Sequence, residues 1–483
     1  MEWLDPSIGA PAYARDELRR SIVHVGVGGF HRAHFAAYVD DLCRLGETDW
    51  AIVGAGVLSD DARIAAVLGE QDHLYTLITR GSDDTQLDVI GSIVDFVHAA
   101  DDPEPLIERI ADPETQIVSL TVTEGGYPVD ESSGEFRPDS PNAAPGSAFG
   151  VIASGLERRM THGGDPLTVL SCDNVLGNGS VARASTVGAA QQISDELATW
   201  VSEHIAFPNS MVDRITPATT DADREWLAAE HGLVDGWPVV TEPFRQWVVE
   251  DRFAGDRLPL ERIDVIVADD VEPYEIMKLR LLNAGHSCLA YLSALLDIET
   301  VDEAMADASI RAYLTAFLTE EARPVVPDVA GVDLDHYVES LIERFSNPNI
   351  GDQIARLCLD GTAKFPKFLT PTVSLQVAAD GPVELAALAL AGWCEYLRLG
   401  DDPTSSIRLS ADPGLEAAVT LARASVDAPR TFLDLDLVFD DELRGRTFAT
   451  AFERGLSAIR TEGVRSAIAD ALRRRIRHDR PTR

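Results

Sequence analysis

The first half of the chain alternates short apolar runs with helical patterns, and this alternation limits the possible folds severely. The apolar runs are rich in β-branched residues and too short for helices, so they are predicted to be buried strands. Apolar strands that alternate with helices are typical of a parallel sheet covered on both faces. The runs expected to form strands are residues 21–28, 50–57, 117–124, 167–174 and 237–242.

Helical periodicity dominates from about residue 271 onward, and strand candidates become scarce there. The sequence therefore predicts an α/β domain over residues 1–270 and a mainly α-helical domain over residues 271–483. The helices expected in the first domain cover residues 31–45, 61–70, 149–161 and 180–204. Those expected in the second cover residues 275–296, 301–321, 334–345, 382–399, 414–424 and 442–476.

A glycine-rich segment, Gly26-Val-Gly28-Gly29-Phe-His31, directly follows the first predicted strand and opens a helix. Glycine lets the backbone turn tightly and approach a pyrophosphate. The third glycine of the usual G-x-G-x-x-G pattern is replaced by His31, and a tight strand-to-helix turn without a ligand is the alternative. The position after the first strand of an α/β domain favours a Rossmann-type dinucleotide site.

Two adjacent acids, Asp60 and Asp61, follow the second predicted strand. An acid at this point usually binds the adenosine ribose, and a carboxylate repels the 2′-phosphate of NADP, so NAD is the expected cofactor. The spacing is longer than the usual roughly 20 residues. In a chain with 80 acidic residues the pair is equally compatible with a solvated helix start.

The helix predicted around Lys278 carries four polar groups, Glu275, Lys278, Asn283 and His286, on one broad face at 100° per residue. A buried lysine has a lowered pKa and can serve as a general base. A solvated lysine paired with Glu275 is the alternative. Only three of the 41 basic residues are lysines. A retained lysine is therefore expected to do what arginine cannot, because arginine stays protonated.

Further polar candidates lie in three other segments. Residues 356–368 contain Arg356, Lys364 and Lys367, which are donors suited to a polyhydroxylated or anionic substrate. Gly361 and Pro366 predict that the helix breaks between the first two of these cations, and helix-end chemistry is the alternative. Asn174 follows a predicted strand, and Asp213 lies in a separate segment; for both, a turn-forming role is the alternative.

Composition excludes several partners. The formal net charge of −39 repels phosphate backbones and anionic membrane surfaces, so nucleic-acid and membrane binding are not expected. The five cysteines form no C-x-x-C pair, and the first 20 residues lack an apolar signal region, which predicts a cytoplasmic protein with reduced thiols. No H-x-x-x-H, H-E-x-x-H or C-x-x-C motif occurs, so metal-independent chemistry is expected.

The acidic, lysine-poor composition is also typical of a halophilic protein, in which counterions screen self-repulsion. We expect such a chain to unfold as salt is removed by dialysis, and full stability at low salt would contradict this expectation. A generally acidic, arginine-rich proteome is the alternative. The sequence is compatible with a monomer or a small homo-oligomer.

Eight segments spread over nearly the whole chain resemble the polyol-specific long-chain dehydrogenases, the family of mannitol 2-dehydrogenase and fructuronate reductase. They are IVHVGVGGFHRAH, SLTVTEGGY, LSCDN, FPNSMVDRITP, EPFRQWVVED, MKLRLLNAGH, RFSNP and DGTAKFPKF. The resemblance implies a Rossmann-type N-terminal domain, a helical C-terminal domain and metal-independent, NAD-dependent oxidation of a polyol to its 2-ketose.

The resemblance also implies roles for particular residues. Lys278 is the general acid/base, Asn174 and Asn283 stabilise the developing oxyanion, and His286 contacts a substrate hydroxyl. Glu275 gates proton exit from the lysine. The expected substrate-binding residues are Asp213, Arg356 and Lys364, and the expected cofactor-binding residues are Gly26, Gly28, Gly29, Phe30, Asp60, Asp61 and Glu124.

Two alternatives to a polyol dehydrogenase stay open. The first is a fructuronate or tagaturonate reductase, whose substrate carboxylate needs an extra cation such as Lys367, Arg280 or Arg245. The net charge of −39 disfavours an anionic substrate. The second is a catalytically inactive nucleotide-sensing protein, which has no use for a titrating lysine.

Overall fold

The computed structural model describes residues 5–130, 133–402, 404–409, 412 and 414–478. The chain divides into two compact units, the first ending at Glu272 and the second beginning at Pro273, whereas the sequence-based boundary lies after residue 270. The strands are β1 Ile22–Val25, β2 Ile52–Gly56, β3 Tyr75–Arg80, β4 Thr85–Ile90, β5 Ile93–His98, β6 Ile117–Leu120, β7 Thr168–Ser171, β8 Ser210–Asp213, β9 Val239–Thr241, β10 Gln246–Glu250 and β11 Ile266–Ala268.

The first unit contains eight α-helices among its described residues: α1 Gly29–Ala33, α2 Phe35–Arg44, α3 Ala62–Glu70, α4 Glu104–Ala111, α5 Ala148–Thr161, α6 Asn178–Ile193, α7 Asp195–His204 and α8 Asp221–His231. The remaining α-helices are α9 Glu272–Lys278, α10 Ala284–Ala294, α11 Val301–Ala306, α12 Ala308–Ala316, α13 Leu334–Phe345, α14 Ile354–Leu357, α15 Gly361–Phe368, α16 Thr370–Ala378, α17 Glu384–Gly400, α18 Leu415–Ala424, α19 Arg446–Glu462 and α20 Val464–His478. Two π-helical segments, Leu279–Asn283 and Phe317–Ala322, interrupt this helical series.

The main sheet of the first unit is parallel and has the strand order β5-β2-β1-β6-β7. Neighbouring residues such as Ile22 and Val23 point to opposite faces, yet both are fully buried. They join two separate hydrophobic clusters, one with Phe35 of α2 and one with Phe149 of α5. Helices therefore cover both faces, which confirms the predicted Rossmann-type α/β class.

The strand order reverses between β1 and β6, because β2 and β5 extend the sheet on one side of β1 and β6 and β7 on the other. In open α/β sheets, ligands bind outside the carboxyl ends of the strands at such a switch point. The turn that follows β1 begins at Gly26, and the loop that follows β6 begins at Thr121. The fold thus places the glycine-rich segment at the expected ligand edge.

The prediction for residues 237–242 was wrong about the sheet. This run supplies β9, which pairs with β3 in a separate three-stranded sheet of order β4-β3-β9. The main sheet is completed instead by β5, which the sequence analysis missed. All but one residue of β5 are only half-buried, so this edge strand lacks the continuous apolar run that marks the other four.

Several predicted helices are divided in the structure. The expected helix over 31–45 forms α1 and α2, which meet at His34, and that over 180–204 breaks at Ser194, whose hydroxyl caps α7. The helix over 442–476 ends at Gly463, whose φ of 85° suits glycine, before α20 begins. Pro366 lies inside α15 and does not end it; the break after α14 comes at Asp360, in the left-handed conformation.

The second unit is helical, as predicted, and its centre is α17. Residues Leu385–Leu397 of this helix are buried throughout, and α10, α18, α19 and α20 pack against it. A helix that is apolar on all sides belongs in the interior of a domain. Among the described residues, no helix combines the length and apolar character needed to span a bilayer.

The carboxyl group of Glu321 is fully buried in this helical unit. Glu321 lies in the second π segment, and its two oxygens accept hydrogen bonds from the backbone N–H groups of Leu385 and Ala386 at 2.7 and 2.8 Å. These donors belong to the first turn of α17, where helix N–H groups lack intrahelical partners. Burial raises the pKa of Glu321 to about 8, although the two backbone donors oppose this shift.

Candidate functional site

The glycine-rich turn after β1 has the shape of a phosphate cradle. Gly26 has a φ of 95°, and a Cβ there would lie 2.2 Å from the Thr121 carbonyl oxygen, so this position requires glycine. A Cβ at Gly28 or Gly29 would meet nothing closer than 4.0 or 3.8 Å. Packing therefore does not demand glycine at the latter two positions, and the open space beside them fits the close approach of a dinucleotide.

Two stacked histidines, His24 and His31, pack beside this turn. His24 of β1 hydrogen-bonds to Ser119 and to Thr121, each at 2.9 Å, and so ties β1 to β6. The ring of His31 stacks on that of His24 with centroids 3.3 Å apart. Burial lowers the pKa of His24 to about 3 and that of His31 well below its ordinary value, so both rings are neutral. A packed histidine thus occupies the place of the missing third glycine.

Asp173, between the predicted oxyanion residue Asn174 and β7, holds the loop after β6. Its carboxylate accepts hydrogen bonds from the backbone N–H groups of Val122 and Thr123 at 3.0 and 2.9 Å and from the Tyr127 hydroxyl at 2.7 Å. Burial raises the pKa of Asp173, while these hydrogen bonds oppose the shift. Thr123 has a φ of 64°, an unfavourable conformation that this shared acceptor maintains.

The other predicted residues of this unit lie at the ends of its strands and turns. Asn174 and Glu124 are exposed, Phe30 is half-buried against the ring of His34, and Asp213 is buried at the end of β8. The sequence identified Asn174 in its motif but assigned no role to its neighbour Asp173. The signal for that role was available, since a buried acid at the carboxyl end of a strand must find hydrogen-bond donors.

The acid pair after β2 separates into two different environments. The Asp61 carboxylate accepts a hydrogen bond from the Leu58 backbone N–H at 2.9 Å, and Gly56 leaves room for it, since a Cβ there would lie 2.4 Å from that of Asp61. Asp61 therefore caps the start of the following helix, and its cofactor-binding role stays a prediction. Asp60 is exposed, and its ribose-binding role stays a prediction.

In the second unit, the residues predicted for catalysis lie on one helical path that includes a π turn. Lys278 is the last residue of α9, Asn283 the last of the π segment, and His286 belongs to α10. The Ala284 N–H donates to the Leu279 carbonyl five residues earlier, the spacing of a π turn. Uniform α-helical geometry was therefore the wrong basis for the predicted polar face.

The π turn improves the alignment of the central pair. At 100° per residue, Lys278 and Asn283 would be separated by about 140° around an α-helix. Hydrogen bonds between residues five apart widen the turn, so Asn283 lies nearer to the side of the helix that carries Lys278 than it would in an α-helix. Lys278, Asn283 and Glu275 are each less than a tenth exposed. Single π turns inside α-helices occur frequently at functional sites.

His286 is held by an aromatic neighbour that the sequence analysis missed. Its ring stacks on Phe345, the last residue of α13, with centroids 4.2 Å apart and an interplanar angle of 21°. Phe345 is fully buried, and its ring also approaches Gly285, where a Cβ would lie 3.5 Å from it. The RFSNP motif that contains Phe345 was visible in the sequence, but the contact joins residues nearly 60 positions apart.

The predicted substrate-binding cations of this unit have different neighbours. Arg356 is bound by both oxygens of Asp352, at 2.8 Å from Nε and 2.6 Å from Nη2. The Lys364 ammonium lies 3.5 Å from the Leu357 carbonyl. Arg280, one of the cations suggested for a substrate carboxylate, donates to the Val325 carbonyl at 2.7 Å, and burial lowers its pKa.

Comparison with known proteins adds independent information. The family model described as the mannitol dehydrogenase Rossmann domain matches residues 20–262, and that of the mannitol dehydrogenase C-terminal domain matches residues 270–460. A mannitol 2-dehydrogenase of Phaeosphaeria nodorum is 40% identical over 476 residues, covering 96% of this chain and 83% of the relative. One of Aspergillus fumigatus is 40% identical over 470 residues, covering 94% and 93%.

Two solved structures are similar over almost their whole length. The ternary complex of Pseudomonas fluorescens mannitol 2-dehydrogenase with NAD and D-mannitol has a TM-score of 0.88 and 41% identity, covering 98% of both chains. A substrate-free D-sorbitol dehydrogenase also has a TM-score of 0.88, with 36% identity, covering 96% of this chain and 98% of the other.

Proposed function

Because this chain belongs to the mannitol dehydrogenase family, we propose that it interconverts mannitol and fructose with NAD, using Lys278 as the general acid/base. The chain is an NAD-dependent polyol dehydrogenase. The identity of its polyol and the roles of its residues are the proposed part. The observation that supports them is the π turn that begins directly after Lys278 and ends at Asn283, two buried polar residues on one helical path.

The cofactor fits the open turn after β1. Gly26 shapes the turn, Gly28 and Gly29 leave room for the pyrophosphate, and Phe30 lies beside them. Asp60, next to the capping Asp61, binds the adenosine ribose, and Glu124 contributes from the loop held by Asp173. When bound, NAD supplies the acceptor for the hydride that leaves the carbinol carbon.

The protein's own groups handle the proton and the oxygen. Burial favours the neutral form of a lysine, and neutral Lys278 takes the proton from the C2 hydroxyl of mannitol. Asn283 donates a hydrogen bond to the developing alkoxide, and the family resemblance supports the same role for Asn174. His286 contacts a neighbouring hydroxyl, and Glu275 passes the proton from Lys278 outward. In the reverse direction, protonated Lys278 donates to the ketose carbonyl.

The environment of the arginines favours a neutral polyol over a hexuronate. Arg245 forms an ion pair with Asp41 at 2.6 Å and lies over the Tyr38 ring, and Arg280 is engaged with a backbone carbonyl. Two of the three cations considered for a substrate carboxylate therefore already have partners. The proposed substrate-binding residues Asp213, Arg356 and Lys364 include both donors and acceptors for hydroxyl groups.

A parallel assay with four carbonyl substrates tests the proposal. NADH loss is followed by absorbance at high and low salt with fructose, fructuronate, tagaturonate and xylulose. We expect the highest kcat/KM with fructose. A clear preference for fructuronate or tagaturonate would identify a uronate reductase, and tight NADH binding without turnover of any substrate would identify a nucleotide sensor.

A further inference from the structure

We propose that Asp352 determines substrate class, by neutralising Arg356 so that this cation binds a sugar hydroxyl and not a sugar carboxylate. The inference rests on the proposed function, in which Arg356 contacts the substrate. Asp352 does not itself touch the substrate in this proposal. It acts through Arg356 and is therefore a positioning residue.

The geometry of the pair supports this role. Both carboxylate oxygens of Asp352 accept hydrogen bonds from one edge of the guanidinium, Nε and Nη2. Such bidentate pairs fix the guanidinium plane as well as its charge. The opposite edge, which includes Nη1, points away from Asp352 and retains N–H groups for a ligand. Because the net charge of the pair is zero, that edge offers directed hydrogen bonds without an unbalanced positive charge.

Burial of the two partners differs strongly. The Asp352 side chain is 4% exposed, whereas that of Arg356 is 54% exposed. The acid is also fixed by its backbone, since its carbonyl accepts a hydrogen bond from Val301 N–H at 2.9 Å. The following residue, Gln353, forms an isolated β-bridge with Thr300. Asp352 is therefore held in a fixed position and orients the arginine, whose exposed end is available to a ligand.

The chemistry of the competing substrates makes the pair selective. A fructuronate carboxylate beside the pair meets both Arg356 and the negative charge of Asp352, so attraction and repulsion largely cancel. A ketose or polyol hydroxyl carries no charge and needs only the N–H donor. Specificity is the difference between the binding free energies of the two substrates. Asp352 makes binding less favourable for the anion alone.

The test replaces Asp352 by its neutral isostere. In Asp352→Asn, Arg356 gains an unbalanced charge. We expect the ratio of kcat/KM for fructuronate to that for fructose to rise by about tenfold or more, which is the effect of one charge-assisted hydrogen bond. The rise comes from a lower KM for fructuronate and is smaller at high salt, because Arg356 is exposed. Asp352→Glu, which keeps the charge, retains a ratio close to that of the unmodified protein.

Two controls separate this effect from damage to the fold. Asp470 and Arg474 of α20 form a similarly spaced pair, with Arg474 Nε 2.7 Å from the carboxylate, so Asp470→Asn is the matched substitution and leaves the ratio unchanged. In the double variant Asp352→Asn/Arg356→Ala, the gain toward fructuronate disappears. An unchanged ratio in Asp352→Asn, or a gain that persists in the double variant, overturns the inference. An unmodified protein that turns over neither sugar contradicts the proposed function instead.

Discussion

The two units build their polar sites in different ways. At the sheet edge of the first unit, polar side chains such as His24, Asp173 and Asp61 bind the protein's own backbone or each other. In the second unit, Lys278 and Asn283 lie on one helical path and are joined by a single π turn. The first arrangement needs several supporting residues for each loop, and the second needs only a local change of hydrogen-bond spacing.

This difference reflects the backbone on which each site stands. Loops at the end of a parallel sheet have no hydrogen-bonding pattern of their own, so buried acids and histidines must supply it. A helix satisfies its own backbone, which leaves its side chains available for ligands. Substitutions in the two regions should therefore affect different quantities: mainly stability in the first and mainly turnover in the second.

The largest expected effect is that of Lys278→Ala. Loss of the general acid/base should lower kcat by about 10³-fold, within the range typical of such groups. NADH binding, measured by fluorescence titration, should stay within about twofold, because the change removes a proton acceptor and not a cofactor contact. The companion variant Lys278→Arg keeps a cation that cannot deprotonate, so it should be similarly inactive. Near-normal turnover of either variant would show that the helix does not supply the base.

In the first unit, Asp173→Ala should reduce stability. It leaves two backbone N–H groups and the Tyr127 hydroxyl without their acceptor, at an expected cost of about 3 kcal/mol in unfolding free energy. NADH affinity should fall as well, because the loop at the ligand edge loses its support. Chemical denaturation measures the first effect and fluorescence titration the second.

The matched control for this variant is Asp139→Ala. The Asp139 side chain is 76% exposed and lies 3.6 Å from Arg137, so its removal should change stability by less than about 0.5 kcal/mol. If Asp173→Ala were equally mild, the proposed scaffolding of the sheet edge would be wrong.

A third prediction concerns Glu321 and pH. The folded carboxyl keeps its proton up to about pH 8, whereas the unfolded one loses it near its ordinary pKa of about 4.3. Its contribution to stability is therefore complete below that lower pKa and is lost as the pH rises to about 8. In this window, the slope of unfolding free energy with pH should include up to about 1.4 kcal/mol per pH unit from this group.

Glu321→Gln should remove that part of the slope, because an amide does not titrate. Unfolding free energies at pH 5, 6, 7 and 8 provide the measurement, and Glu320→Gln, at the exposed neighbouring position, is the control that should keep the slope. An identical slope in Glu321→Gln would mean that the buried carboxyl is ionised throughout this range.

The smallest expected effect is that of Phe345→Leu, which removes the ring beneath His286 and keeps most of the apolar volume. Aromatic stacking is worth about 0.5–1.5 kcal/mol, so kcat/KM for mannitol should fall by roughly three- to tenfold, chiefly through KM. Phe452→Leu is the control, since its ring stacks on Phe432 elsewhere in the same unit. Phe452→Leu should lower Tm and leave KM unchanged. If KM rose equally in both variants, Phe345 would have only a packing role.

The fold class was predictable because the signals that determine it are local. Four of the five main-sheet strands are short apolar runs whose two faces are both buried, so the sequence of each run already indicates a buried strand. The second unit likewise follows helical periodicity. The strand β5 was missed for the same reason, since a half-buried edge strand has no such run. Breaks such as the one at Ser194 were missed because capping residues also occur within longer polar stretches.

The candidate site was predictable only as a set of residue types. The sequence drew attention to Lys278 through the scarcity of lysine, and to Asn283 and His286 through their motif. The predicted positions of these residues around the helix assumed 100° per residue, and the π turn makes that assumption incorrect. A π turn is decided by packing around the helix, so residue spacing within one segment does not report it.

The sequence by itself determined the class of each unit, the glycine turn after β1 and the residue types available for catalysis, because these depend on periodicity and on the chemistry of single side chains. Only the tertiary structure decided which acid supports a loop, which ring lies against His286 and which carboxylate holds Arg356. The first two contacts join residues about 50 or more positions apart. The third spans four residues, but its strength depends on the burial of Asp352, which the surrounding fold imposes.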